Sequence, residues 1–326
     1  MSVTAPKLDL RVRVRGTVQG VGFRPFVHRL ATQLGLSGWV RNDAQGVLIA
    51  ASGEEGALHR LVAALRQEAP VAAHVESIEV AVAPETADRD GGFAILASEA
   101  PDEGVATTVS PDLALCPACR GELLAAGDRR FRYPFINCTQ CGPRYSLIER
   151  LPYDRPHTTM RAFRMCPACQ REYDAPADRR FHAQPNACPA CGPQVALKDA
   201  AGATVAQRDE AIHATARRLL GGEIVAVKGV GGFHLFADAT NERTVAELRR
   251  RKHRDAKPFA VMFRDVAMLR TYADVSPAEE SLLTSAAAPI VLLARRASAR
   301  LAPGVAPKNP WLGALLPYAP LHVLLL

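Results

Sequence analysis

The N-terminal region alternates apolar and polar residues in the way a half-buried strand does. Leu8, Leu10, Val12 and Val14 are each separated by one polar residue, which places the apolar side chains on one face of a strand. Apolar residues then recur at helical spacing, which predicts a helix with one buried face. Its apolar positions are Phe23, Phe26, Val27, Leu30, Ala31 and Leu34.

Strand-like alternation and helical spacing continue to follow one another along the chain up to about residue 95. Residues 39–41 and 47–50 predict two short strands around a turn at 42–46. A second helix and a further strand follow. Their apolar positions are Leu58, Leu61, Val62 and Leu65 on the helix, and Ile78, Val80 and Val82 on the strand. The order strand, helix, strand, strand, helix, strand predicts a ferredoxin-like α+β sandwich for residues 1–95.

The rest of the chain divides into three further parts, so the fold class is α+β and multidomain. Residues 96–110 contain prolines, a glycine and acidic residues, and are predicted to be a linker. Residues 111–200 hold all eight cysteines. Residues 201–326 show an alternating α/β pattern.

The α/β part offers one amphipathic helix and several strands. Ile212, Ala216, Leu219 and Leu220 are expected to share a helical face. Candidate buried strands lie at 224–227, 259–262 and 290–293. The apolar tail at 312–326 is broken by prolines and is shorter than the roughly 18 residues a membrane helix needs.

Composition narrows the class of protein. The 326 residues are 48% hydrophobic and 22% charged, as in an ordinary globular protein, and the formal net charge is +7. This balance suggests anionic ligands without indicating nucleic acid. The N-terminus lacks the apolar run of a signal peptide. We therefore expect a cytoplasmic protein with no membrane partner, whose cysteines are metal ligands and not disulfides.

The cysteines form a duplicated motif with an offset of 50 residues. Each copy reads C-x2-C-x18-C-x2-C, and an Asp-Arg-Arg-Phe stretch repeats with it. The ligands of the first copy are Cys116, Cys119, Cys138 and Cys141, and those of the second are Cys166, Cys169, Cys188 and Cys191. Four thiolates close a tetrahedron around Zn²⁺, so the spacing predicts two structural zinc sites. Redox-active pairs and an iron–sulfur cluster are the alternatives.

The repeat also favours pairing within each copy, among the three pairings that four Cys-x-x-Cys knuckles allow. We interpret the module as a clamp that stabilises a loop-rich region. Nucleic-acid binding is the alternative, through Arg129, Arg130, Arg179 and Arg180. Few aromatic residues accompany these arginines, which disfavours a stacking surface. His182 is interpreted as a surface residue.

A glycine-rich loop joins the first strand to the first helix. Gly16, Gly20 and Gly22 permit close backbone approach, and the amides of residues 20–24 are expected to face an anion at the helix N-terminus. Arg24 can bind two phosphate oxygens at once. From the glycines alone, a plain tight turn is the simpler interpretation.

The wider sequence resembles the acylphosphatase family. The matching stretches are Gly-x-Val-Gln-Gly-Val-x-Phe-Arg at 16–24 and Leu-Gly-Leu-x-Gly-Trp-Val-x-Asn at 34–42. The resemblance implies that Arg24 binds a phosphoryl group and that Asn42 orients the attacking water. The phosphate-binding backbone would be that of Gly20, Val21, Gly22 and Phe23. His28 and His74 are tempting as bases, but His28 is interpreted as a helix-surface residue.

The last part resembles the YrdC/Sua5 fold, through Lys252-x-Arg254-x-x-Lys257-Pro258 and Ala-Pro-Ile-Val-Leu-Leu at 288–293. That family forms carbamoyl-adenylate-type intermediates from ATP, with Mg²⁺ as its expected companion. The resemblance implies nucleotide contacts at Lys252, Arg254 and Lys257, and the glycine-rich stretch that begins at Lys228 is a further candidate. Threonine-using members carry a threonine-rich strand end there, so this chain departs from them.

The three parts in this order resemble the HypF carbamoyltransferases, which mature [NiFe] hydrogenases. The resemblance implies hydrolysis of carbamoyl phosphate, carbamoyl-AMP formation with ATP, and transfer to the C-terminal cysteine of HypE. The family's last domain is missing and the YrdC-like part breaks off in mid pattern, so we expect a fragment that retains mainly acylphosphatase activity. A zinc-containing RNA-binding or tRNA-modifying protein of YrdC type is the alternative, and a non-catalytic scaffold fragment is a third.

Overall fold

We examined a computed structural model of the protein, which describes residues 7–83, 92–99 and 108–326. Its contacts divide the chain into two compact units. The first comprises residues 1–111 and 137–187, and the second comprises 112–136 and 188–326. Part of the predicted linker lies outside the described residues.

The first unit is built on a five-stranded sheet flanked by two helices. In chain order its elements are β1 (Lys7–Thr17), α1 (Phe23–Gln33), β2 (Ser37–Asp43), β3 (Gly46–Glu54), α2 (Glu55–Gln67), β4 (His74–Val82) and β5 (Phe93–Ile95). The strand order is β4-β1-β3-β2-β5. Only the β2–β5 pair is parallel among these neighbours. The predicted α+β sandwich is confirmed, and β5 is an addition, too short for any periodic pattern to reveal.

The core of this sandwich lies where the alternating residues of β1 meet those of β3. Val12 pairs with Ile49 and Val14 pairs with Val47, and all four side chains are fully buried. The predicted apolar face of α2 packs onto them through Leu61 and its neighbours. The sequence pattern therefore identified the core correctly.

The β4 strand departs from its predicted burial. Val80 and Val82 alternate as expected, yet their side chains are 47% and 76% exposed. The cause is position, because β4 lies at the edge of the sheet, where fewer neighbours cover its residues.

The duplicated cysteine segment repeats its backbone as well as its sequence. The helices α3 (Pro117–Leu124) and α4 (Pro167–Asp174) both begin with proline directly after a cysteine, a favoured first helical position. Arg132 and His182, 50 residues apart, share a positive φ of 53°. Two short 3₁₀ helices lie between the copies, at Arg155–His157 and Thr159–Ala162.

The second unit contains small sheets and short helices. Its further elements are β6 (Ala196–Lys198), β7 (Thr204–Gln207), α5 (Arg208–Leu220), β8 (Val225–Gly229), β9 (Gly232–Phe236), α6 (Glu242–Lys252), β10 (Val261–Met262), α7 (Val266–Leu269), α8 (Pro277–Leu283), β11 (Val291–Ala294), β12 (Trp311–Leu315) and α9 (Pro320–Leu325). β6 pairs with β7, β8 pairs with β9, and the third sheet has the order β10-β12-β11. A core forms around this third sheet, with Phe263, Leu293 and Leu312 at its centre.

Two expectations for the second unit were wrong in detail. The strands β8, β10 and β11 form, but they alternate in burial instead of being covered on both faces, and Leu292 is 65% exposed. On α5 the buried face is Ala211, Ile212 and Thr215, while Leu220 is 83% exposed. At 100° per residue, eight positions rotate Leu220 about 80° away from Ile212.

No helix among the described residues combines the length and the apolar character needed to cross a membrane.

The core assignment predicts the cost of truncating an apolar side chain in the first unit. Leu61→Ala removes a side chain that is 0% exposed and should lower the free energy of unfolding by about 2–5 kcal/mol. Val71→Ala, at a position 99% exposed, should change it by less than about 0.5 kcal/mol. Urea unfolding followed by far-UV circular dichroism measures both. Equal effects of the two substitutions would contradict the assignment.

Candidate active site and metal centres

The loop between β1 and α1 has the geometry of an anion site. Gly20 and Gly22 have φ values of 75° and 78°, a region that glycine adopts without steric cost, and Gly22 is the N-cap of α1. The first-turn amides of Phe23 and Arg24 have no acceptor within the helix, and Pro25 has no N–H. The loop therefore presents donors and a positive helix end to a ligand.

Two apolar side chains of the loop hold it in place. Val21 and Phe23 are each only 1% exposed and belong to the core of the sandwich. Of the four predicted phosphate-binding positions, these two anchor the loop by their side chains, whereas Gly20 and Gly22 leave the backbone accessible. Phe26 closes the first helical turn by donating to the Gly22 carbonyl at 3.0 Å.

Arg24 lies in the first turn of α1, and its guanidinium is buried. The side chain is 8% exposed, and Nη2 donates to Asp154 Oδ1 at 2.7 Å. Nη1 donates to Ser98 Oγ at 3.3 Å, and Nη2 also lies 3.4 Å from the Tyr153 carbonyl oxygen. A buried charge needs such partners because desolvation is costly.

Asn42 lies beside Arg24. Its side chain is at the end of β2 and is 1% exposed. With the amide turned so that its oxygen faces the guanidinium, that oxygen accepts from Arg24 Nη2 at 3.3 Å and from Nε at 3.2 Å. The fold therefore brings together two residues that belong to different elements.

The loop, Arg24 and Asn42 line one pocket with residues from the cysteine-rich segment. These additional lining residues are Thr139, Arg144, Tyr153, His182, Ala183, Gln184 and Pro185. None of them was predicted to belong to this site. Their distance along the chain gives no local pattern that would have identified them.

Arg144 braces the anion loop against the second knuckle of the first finger. Its side chain is 1% exposed, and its Nε donates to the Gly20 carbonyl oxygen. Its other nitrogens donate to the carbonyl oxygens of Cys138, Thr139, Cys141 and Pro143. One buried side chain thus connects the cysteine knuckle to the loop backbone.

Gln19 provides a second brace within the same unit. Its Nε2 donates to the carbonyl oxygens of Asp43 and Gly46 at 2.8 and 2.9 Å. Its Oε1 accepts from the amide of Tyr153 at 3.1 Å. Gln19 therefore connects the loop to the β2–β3 turn and to the segment between the fingers.

The nearby histidines are not surface residues. His182, predicted to be one, is half-buried and lines the pocket. Burial, with a smaller effect of the Arg24 guanidinium, lowers the pKa of His182 to about 4. His28 is also half-buried, with its ring 6.4 Å from that of Phe93 and 5.4 Å from that of Phe181, and burial lowers its pKa. Both are neutral near pH 7, whereas His74 is exposed on β4.

The eight cysteines form the two groups that the repeat predicted. Cys116, Cys119, Cys138 and Cys141 form one group, and Cys166, Cys169, Cys188 and Cys191 form the other. Within each group the sulfurs lie within 4.8 Å of one another.

The sulfur geometry fits a tetrahedral metal. The Sγ atoms of Cys138 and Cys141 are 3.8 Å apart, and those of Cys188 and Cys191 are 3.7 Å apart. Four sulfurs at about 2.3 Å from Zn²⁺ would be separated by about 3.8 Å. The amides of Cys119 and Gln140 each donate to a ligand sulfur at 3.4 Å. The two clusters therefore fit zinc fingers with no open position.

The four arginines named for the nucleic-acid alternative are not all on the surface. Arg130 and Arg180 are 1% and 4% exposed and cannot contribute to a basic surface, whereas Arg129 is exposed and Arg179 is half-buried. Arg180 Nε donates to the Asn137 carbonyl oxygen at 3.1 Å. Asp128 and Asp178 accept from the backbone amides of these two arginines at 2.7 and 2.8 Å.

The candidate nucleotide residues lie in two places in the second unit. Lys228 is exposed on β8, and the glycines after it form the β8–β9 hairpin turn. Lys252 and Lys257 are exposed. The Arg254 side chain contacts residues close to it in the chain. Its Nε donates to the Lys257 carbonyl oxygen at 3.0 Å, and its guanidinium lies 4.9 Å from the centre of the Phe259 ring.

Comparison with known families follows the same order along the chain. Profiles match for acylphosphatase at residues 10–95, for the HypF finger at 115–148 and 165–197, and for a family described as telomere recombination, grouping Sua5, YciO and YrdC, at 217–326. An acylphosphatase from Koribacter versatilis is 49% identical over 87 residues, covering 26% of this chain and 78% of that protein.

Longer relatives match nearly the whole chain. Carbamoyltransferase HypF2 from Cupriavidus necator is 55% identical over 318 residues, which is 97% of this chain and 39% of that protein. The crystal structure of a full-length HypF in its phosphate- and nucleotide-bound form is 43% identical. It has a TM-score of 0.91 and covers 100% of this chain and 42% of that one.

An acylphosphatase fold, paired four-cysteine fingers and a YrdC-like region together define a multidomain protein built on an acylphosphatase fold. The chain belongs to the HypF family of carbamoyltransferases. It spans about two fifths of the length of the relatives just described.

The cysteine clusters predict a defined metal content. The chain should carry two zinc ions, and Cys138→Ser should retain one, because a thiolate is lost from a closed four-ligand site. Gln140→Ala changes an exposed side chain beside the same knuckle and should retain two. Metal analysis after gentle purification measures this. Absence of zinc from the unaltered chain would contradict the zinc assignment.

Proposed function

We propose that the pocket at the N-terminus of α1 hydrolyses the acyl phosphate bond of carbamoyl phosphate, releasing inorganic phosphate. The observation that carries this proposal is the buried pair of Arg24 and Asn42, which lie 3.2–3.3 Å apart in the orientation described above. Membership of the HypF family, and the similarity of residues 10–95 to acylphosphatases, support it.

Each residue has a role that follows from its chemistry. The amides of Phe23 and Arg24, with the backbone at Gly20 and Gly22, bind phosphate oxygens, and the Arg24 guanidinium neutralises charge on the phosphoryl group. Asn42 positions the attacking water through its amide. An acyl phosphate is already activated, so positioning and charge stabilisation contribute more than a strong base. This agrees with the neutral state of His28 and His182.

For the rest of the chain we propose supporting roles. The fingers bind two structural Zn²⁺ ions. The YrdC-like region contributes to carbamoyl-AMP formation from ATP, with Mg²⁺, through Lys228, Lys252, Arg254 and Lys257. Similarity to a HypF crystallised with phosphate and nucleotide supports this assignment.

The proposed domain limits are 1–95 for the acylphosphatase, 96–110 for the linker, 111–200 for the fingers and 201–326 for the YrdC-like domain. We propose a cytoplasmic location, because clusters of thiolate ligands suit a reducing compartment.

The active-site assignment is tested by phosphate release from carbamoyl phosphate. Arg24→Ala should lower kcat/KM by on the order of 10²–10³, since it removes a buried charge aimed at the phosphoryl group. Asn42→Ala should lower it about 100-fold, because the water loses its position. Arg29→Ala, on the exposed face of α1, should leave it unchanged. Full activity in a folded Arg24→Ala variant would refute the site.

Transfer to a protein acceptor is a separate activity, and we propose that it needs parts of the relatives that this chain does not span. Incubated with carbamoyl phosphate, ATP and HypE, the 326-residue chain should release phosphate without modifying the HypE C-terminal cysteine. Mass spectrometry of HypE measures this outcome. A carbamoylated HypE would overturn the proposed division of labour.

A further inference from the structure

Asp154 holds a carboxylate against the cation of the proposed phosphate site. Its Oδ1 lies 2.7 Å from Arg24 Nη2, and the two side chains are 21% and 8% exposed. Asp154 comes from the segment between the two fingers, 130 residues further along the chain. A carboxylate and a phosphoryl group offer the same kind of oxygen to a guanidinium, so Asp154 occupies a position that a bound anion would use.

The backbone on both sides of Asp154 is fixed. The Tyr153 amide donates to Gln19 Oε1 at 3.1 Å, and the Arg155 amide donates to Gln184 Oε1 at 2.7 Å. The Asp154 carbonyl oxygen accepts from the amide of His157 at 2.8 Å. The Asp154 backbone is therefore held in place independently of the ion pair that its carboxylate makes with Arg24.

The charges around the pocket make this ion pair decisive for anion binding. Arg144 directs its buried guanidinium to backbone carbonyl oxygens, and His182 is neutral near pH 7 because its pKa is lowered to about 4. Arg144 keeps its charge, but its N–H groups point to carbonyl oxygens, whereas Asp154 neutralises the guanidinium of Arg24. A phosphate dianion entering the loop meets a like charge unless the carboxylate is exchanged for it.

We propose that Asp154 is an internal competitor for Arg24, which the phosphoryl group of the substrate displaces on binding. Asp154 is then an affinity-determining residue for phosphate anions at this site, and it weakens retention of the inorganic phosphate product. The proposal rests on the function proposed above for the Arg24 pocket. Asp154 belongs to the segment between the two fingers, outside the acylphosphatase match at 10–95.

The test is Asp154→Asn, which keeps the shape of the side chain and removes its charge. Loss of a charge-assisted competitor should lower the Kd for inorganic phosphate about tenfold, which corresponds to about 1.4 kcal/mol. The KM for carbamoyl phosphate should fall in the same direction, and kcat should not rise. Calorimetric titration with inorganic phosphate and steady-state phosphate release give these values. A merely structural defect would not tighten binding.

Two variants serve as controls. Glu79→Gln makes the same change in charge at another ion pair of the first unit, where Glu79 Oε1 lies 3.1 Å from Arg15 Nε and the Glu79 side chain is 61% exposed. It should leave the Kd and KM unchanged. Asp154→Glu retains the carboxylate and should keep phosphate binding weak, within about threefold of the unaltered chain, if reach to Arg24 is preserved. Zinc content and circular dichroism confirm folding.

The outcomes separate this inference from the one it rests on. An unchanged phosphate Kd in folded Asp154→Asn would overturn the competitor role, and so would a loss of kcat at constant KM, which would make Asp154 part of the chemistry instead. If Arg24→Ala abolishes phosphate binding while Asp154→Asn has no effect, only the present inference fails. If Arg24→Ala retains both phosphate binding and hydrolysis, the proposed function is overturned, and the inference that rests on it is overturned with it.

Discussion

Burial of the Arg24 guanidinium is the constraint around which the first unit is organised. A charge removed from water is costly unless it is paired and hydrogen-bonded. The partners come from three separate stretches, represented by Asn42, Ser98 and Asp154. The function proposed for the pocket requires the same side chain to reach a phosphate ligand. The site therefore depends on contacts that stabilise the cation without removing it permanently from reach.

The two four-cysteine clusters fit zinc fingers, and bound metal would stabilise the loop-rich segment around them. Arg144 extends that stability to the anion loop, since its donors join the carbonyl oxygens of Cys138 and Cys141 to that of Gly20. Gln19 does the same for the segment before Asp154. Under the proposed function, a structural metal site would thus influence catalysis at a distance, by fixing the backbone of the anion loop.

Part of this pocket lies outside the stretch of the chain that matches acylphosphatases. The Koribacter versatilis relative matches 87 residues of this chain, and Thr139, Tyr153 and Gln184 lie beyond the acylphosphatase profile at 10–95. The anion loop belongs to the shared fold, whereas part of the pocket wall belongs to the fingers.

The sequence by itself determined the features that depend on neighbours along the chain. Alternation gave β1 and its core face, helical spacing gave α1 and α2, and cysteine spacing gave both metal groups. The motif resemblance named Arg24 and Asn42, and the fold brings the two side chains together. Only the tertiary structure decided which side chains are covered: His182, expected at the surface, lines the pocket, and Val82, on the apolar face of its strand, is exposed. The pairing of Arg24 with Asp154 spans 130 residues, and no local periodicity reports where a distant carboxylate returns, because periodicity reflects burial of one face and not the identity of its partner.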